Sequence, residues 1–143
     1  MCFFGDHQPG LCNDFIKLLN GKGNSGLTEQ ELENLYKVPF FIWTNYETDA
    51  QKVDVTSLNY LSTLTLERAN IDLPAYNRFL AELMEKIPAI NSRGYYSKKN
   101  ECFMHVDEAT GDEAKWIKAY NILQYNSMFD EKDRSSLLFP YLK

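Results

Sequence analysis

The chain has 143 residues, 44% hydrophobic, 14% aromatic and 24% charged, with a formal net charge of −5 and a pI near 5.0. That is one-domain length and globular composition, which excludes disorder and argues against nucleic acid, whose phosphates need clustered Lys and Arg. No stretch reaches the roughly 20 apolar residues of a membrane span, and no basic-then-apolar export signal opens the chain, so it reads as soluble as written.

Met1 to Phe4 is a short apolar run that stops at Gly5 and delivers Asp6 and His7 before the Pro9-Gly10 break. It reads as a buried strand ending in a loop. A short helix is expected over Leu11 to Leu19, closed by Asn20-Gly21, and then a glycine-rich loop to Gly26. Thr28 with Glu31 forms a capping box, and that helix should run to about Tyr36. Val38 to Trp43 is a continuous apolar run that reads as a second buried strand with Pro39 at its start. After a polar loop, Thr56 or Ser57 caps a helix ending near Asn70, and Asp72-Leu73-Pro74 opens another that closes before Pro88. Tyr95 to Met104 reads as a hairpin, Asp112 to Phe129 as the longest helix, and 130–143 as a tail that is either flexible or docked through Leu137-Leu138-Phe139.

Adjacent residues on a regular strand face opposite ways, so Asp6 and His7 serve one site only where the strand ends. Carboxylate oxygen and imidazole nitrogen together suit Mn²⁺, Zn²⁺ or Mg²⁺, though two ligands are too few for a site. On local features a turn-stabilising Asp beside a surface His is the simpler reading. Cys102 and His105 form a C-x-x-H without a second pair, so the three cysteines read as free thiols. Thr44, Thr48 and Ser57 read as loop and capping hydroxyls rather than nucleophiles, and Glu29, Glu31 and Glu33 as a solvated helix face.

Gly5-Asp6-His7-Gln8-Pro9 after an apolar strand resembles the metal-binding motif of the sulfatase and alkaline phosphatase superfamily, in the form of the phosphoglycerol transferases of the lipoteichoic acid synthase type. Tyr36 to Tyr46 is similar to that family's second landmark, a Val-Pro-apolar-apolar-Ile-Trp-x-Asn-Tyr strand, and Ser57 to Ser62 to the helix after it. Ile87 to Asn91 and Ala119 to Asn126 also resemble the C-terminal end of these proteins.

The resemblance implies that residues 1–143 form one C-terminal sulfatase-like subdomain of the α/β class, a small, mostly parallel sheet flanked by helices with an appended hairpin. It implies a metal-dependent phospho- or sulfo-ester transferase or hydrolase of cell-envelope polymer synthesis, with Asp6 and His7 as ligands of a divalent metal, Mn²⁺ or Mg²⁺ ahead of Zn²⁺ or Ca²⁺. Parallel strands would bring Asn45 and Tyr46 to the same edge as substrate contacts. In the family the nucleophile and further ligands lie upstream of this motif, on a membrane-anchored protein with an extracellular catalytic domain. The chain alone is therefore expected to be inactive. Its expected partners are a missing N-terminal catalytic half, or a second copy joined through an exposed sheet edge, and an anionic phosphate or sulfate ester. The alternative is a non-catalytic binding or assembly module that keeps the fold.

Overall fold

The helices that open at Thr28 and after Pro74 start where their local signals put them, whereas neither Thr56 nor Ser57 caps a helix through its side chain. The computed structural model describes residues 1–140 and contains, among them, five α-helices and two separate two-stranded antiparallel sheets. Helix α1 spans Asn13–Asn20. Helix α2 spans Glu29–Asn34, and its capping box is complete: Glu31 N–H donates to Thr28 Oγ1, and Thr28 N–H donates to Glu31 Oε2 at 2.7 Å. Helix α3 spans Leu61–Arg68 after a 3₁₀ turn at Leu58–Tyr60. Helix α4, Ala75–Lys86, starts directly after Pro74, whose fixed φ suits a helix start. Helix α5 covers Gly111–Met128, one residue earlier at each end than the periodicity predicts.

The core lies between α4, α5, the 3₁₀ turn and the hairpin of β3 (Gly94–Ser97) and β4 (Cys102–His105). Tyr60, Leu80, Leu83, Ile87, Tyr95, Ile117 and Tyr120 are buried there. The Tyr60 hydroxyl donates to the Ile87 carbonyl at 2.8 Å, so this large side chain is buried without stranding its polar end. Trp116 of α5 packs on Phe79 of α4, with ring centroids 5.8 Å apart. Phe139 is buried against Tyr76, centroids 5.0 Å apart, so the expected tail is docked at this point; its last residues, 141–143, lie outside the described residues.

The expected mostly parallel sheet is not what forms. Strand β1, Cys2–Phe4, pairs antiparallel with β2, Phe40–Ile42, in the register Cys2↔Ile42, Phe3↔Phe41 and Phe4↔Phe40. The physical reason is coverage. A parallel pair needs crossover helices laid across its faces. Here α1 and α2 are eight and six residues long and leave the strands bare, with Phe3 59% and Phe41 52% exposed. Those two rings stack on each other, centroids 5.3 Å apart, in place of a helix. Neither run is the buried strand its composition suggests. No described helix is long and apolar enough to cross a membrane.

Candidate functional site

The ladder of β1 ends where Gly5 N–H donates to the Pro39 carbonyl at 3.1 Å. Glycine eases a close approach at position 5: a Cβ would lie 3.1 Å from Cβ of Val38, tighter than ordinary van der Waals contact. The chain then leaves the strand and both site candidates come round to one side.

Asp6 Oδ1 accepts the His7 backbone N–H at 2.8 Å, which orients the carboxylate and leaves Oδ2 free. Oδ2 faces His7 Nε2 at 3.6 Å. His7 Nδ1 lies 2.9 Å from the Gln8 carbonyl. A carbonyl only accepts, so Nδ1 carries the proton of the neutral ring and Nε2 keeps its lone pair. A histidine whose far nitrogen is tied to a backbone carbonyl is the usual arrangement of a metal-binding imidazole. Gln8 Nε2 donates to the Lys37 carbonyl and anchors this segment to the start of β2. Both side chains are open to solvent, 82% for Asp6 and 78% for His7.

They line a groove of about 620 Å³ together with Gln8, Asn24, Tyr36 and Arg93. Among the described residues no third His, Cys, Asp or Glu joins them as a metal-binding cluster. The two donors thus fit a divalent cation in type and orientation, and they supply only part of its coordination.

Antiparallel pairing separates Asn45 and Tyr46 from this site. The Trp43 N–H donates to the Met1 carbonyl at 2.8 Å, so the chain after β2 leaves beside Met1, at the opposite end of the ribbon from Asp6. The Tyr46 hydroxyl is used on the Arg68 carbonyl at 2.8 Å, and Thr44 Oγ1 on the Tyr46 carbonyl at 2.8 Å. Ser57 Oγ accepts the Ile90 N–H at 3.0 Å and donates to Asn59. Local structure occupies these oxygens. Cys102 is a free thiol on β4, and His105 at its end accepts from Asp107 N–H at 3.3 Å.

Sequence reasoning passed over Arg93, which lines the groove, and the residues that hold it. Glu33, expected on a solvated face, is only 5% exposed. Its Oε2 accepts from Asn91 Nδ2 at 2.8 Å, and its Oε1 has no partner. Asn91 Oδ1 accepts the N–H groups of both Arg93 and Gly94 at 2.8 Å. That Asx turn is signalled in the sequence by Asn91-Ser92-Arg93-Gly94 ahead of the hairpin. The Arg93 guanidinium makes a two-pronged contact with Glu29, both distances 3.2 Å. The pair holds Glu29 below the usual carboxylate range and Arg93 above its own.

Comparison with known protein families, with curated proteins and with solved structures finds no match to this chain.

Proposed function

We propose that this chain is part of a metal-dependent phospho- or sulfo-ester transferase or hydrolase resembling the phosphoglycerol transferases, with Asp6 and His7 as two ligands of Mn²⁺ or Mg²⁺. One observation carries the reading: the Gln8 carbonyl fixes the His7 proton on Nδ1 and leaves Nε2 facing Asp6 Oδ2 at 3.6 Å, on the wall of a groove. Two electron-rich atoms held side by side are stabilised by a cation between them. A bound divalent metal would polarise an ester oxygen and activate a nucleophile. The chain's own contribution is to orient the two ligands and to shape the wall the ester lies on. Nucleophile and remaining ligands are supplied by a second polypeptide segment, and residues 1–143 alone are expected to turn over no phosphodiester.

A binding or assembly role without turnover is the second reading, favoured by the bare aromatic ribbon of Phe3 and Phe41. Titration with Mn²⁺ followed by NMR separates the two. The catalytic reading expects paramagnetic broadening centred on Asp6 to Gly10, weak in affinity and lost in Asp6→Asn and in His7→Ala. Broadening centred elsewhere, or surviving both substitutions, would overturn it.

A further inference from the structure

We propose that Arg93, on the wall of this groove, binds a tetrahedral phosphate or sulfate group and that Glu29, which pairs with its guanidinium from beside the groove, is its built-in competitor. The inference takes its class of ligand from the ester reading above, and it is tested without metal.

The backbone of Arg93 is tied, through the exposed Asn91, to the buried Glu33. The Arg93 backbone N–H and that of Gly94 are both bound by Asn91, and Asn91 is held in turn by the buried Glu33. Position 94 has no room for a side chain: a Cβ would come 3.0 Å from Glu33 Oε1 and 3.0 Å from the Met104 carbonyl. The turn that presents Arg93 is therefore fixed from three sides.

The guanidinium is by contrast lightly engaged. Its two bonds to Glu29, at 3.2 Å each, exceed the roughly 2.7–2.9 Å of strong charge-assisted bonds. Both partners are about 40% exposed, 43% for Arg93 and 40% for Glu29, so solvent screens the pair. Nε and Nη2 each give one N–H to Glu29; the remaining three of its five N–H groups have no acceptor among the described residues. Arg93 is also the only Lys or Arg among the groove-lining residues, and it shares that groove with His7.

The guanidinium fork matches two oxygens of a phosphate or sulfate as well as it matches a carboxylate. An oxyanion brings further oxygens for the N–H groups that Glu29 leaves unused. The buried Glu33 carboxylate, which binds Asn91 beside the Arg93 turn, adds negative charge on the guanidinium's side of the groove. Glu29 then serves as a placeholder. It keeps the fork oriented while the groove is empty, and it raises the threshold for weakly binding anions.

The test is a titration of the full chain with inorganic sulfate in chelator-treated buffer, against chloride at matched ionic strength, read on the Arg93 Nε–Hε resonance. Saturable sulfate binding is expected in the native sequence. Arg93→Gln should abolish it, and Arg93→Lys, which keeps the charge and loses the fork, should weaken it. Glu29→Gln should tighten it by about 2- to 5-fold, the equivalent of removing one exposed ion pair. Unchanged or weaker binding in Glu29→Gln, with the amide spectrum retained, would overturn the proposal, and so would full affinity in Arg93→Gln. Because Asp6 and His7 are intact and no metal is present, failure here is distinct from failure of Mn²⁺ binding. Loss of the Mn²⁺ result alone removes the ester-transfer reading and leaves Arg93 as an oxyanion site.

Discussion

The two antiparallel pairs of this molecule are built from the same backbone ladder and lead different lives. Strands β3 and β4 are joined by four residues, and β3 lies against the core, with Tyr95 and Ser97 buried. Both side chains are tied to Glu113 of α5, the Ser97 hydroxyl at 2.7 Å and the Tyr95 hydroxyl at 3.1 Å. Strands β1 and β2 have an equally regular register, with rings on the outside and little packed beneath them. Strand stability thus comes from what the strand rests on, since the hydrogen bonds of both ladders exchange with water at small net gain.

The largest expected contrast is a pair of truncations. Tyr95→Ala should cost about 3–5 kcal/mol, as for other large aromatic side chains removed from a core. Phe41→Ala should cost about 0.5–1.5 kcal/mol, the worth of one aromatic pair. Urea unfolding of the two variants measures both, and equal losses would erase the distinction drawn here. Hydrogen exchange sharpens the same point without mutation. The ladder amides Gly5 and Trp43 should exchange on the order of 100-fold faster than Tyr96, whose N–H donates to the Ala89 carbonyl beside the core.

Next in size is an alkaline transition confined to the core side. Burial, then the Glu113 carboxylate, pushes the Tyr95 phenol up to about 12, and burial pushes Tyr76 up to about 12 as well. Burial also raises Tyr60 and Tyr120. The folded chain favours the neutral phenols, so their contribution is intact below the ordinary tyrosine pKa of about 10 and disappears as pH rises from there through 12. Tyrosine ionisation monitored by ultraviolet absorbance should coincide with loss of circular dichroism. Phenols titrating at ordinary pH without unfolding would count against this packing.

The smallest effect is acidic and belongs to the groove side. Hydrogen bonding to Lys22, then to Thr28, lowers Glu31 to about 2. Its contribution to the α2 cap is present above the ordinary carboxylate pKa of about 4.3 and is lost as pH falls toward 2. Amide shifts of Thr28 to Glu31 should move in that window while those of α4 and α5 stay in place.

Where the sequence could be read, the signal was short in range. Thr28 with Glu31, Pro74 and the Lys98 to Glu101 turn each act within a few residues, and α2, α4 and the β3–β4 hairpin sit as expected. The direction of the β1–β2 pairing is decided by what covers the strands, and an apolar run does not carry that information. Asp6 with His7 was legible as a juxtaposition at a strand end, and the tautomer that aims Nε2 came from a carbonyl geometry no spacing records. Glu33 was misread because its partner, Asn91, is 58 positions away. Arg93 went unnoticed for a similar reason, since its contact with Glu29 spans 64 positions.

The Met1 ammonium donates to the Trp43 carbonyl at 2.6 Å, closing the ribbon across 42 positions of chain. Closing so long a segment is entropically costly before any contact rewards it, whereas the β3–β4 hairpin closes over four residues. Condensation should accordingly proceed from the C-terminal hairpin and helices outward, and Asp6 and His7 should be the last of the groove's residues to arrive. In a refolding experiment the core would be complete, and Arg93 already seated in its turn, while the other wall was still searching for its register. A chain stalled at that stage would look folded by its tyrosines and still lack the Asp6–His7 wall of the groove.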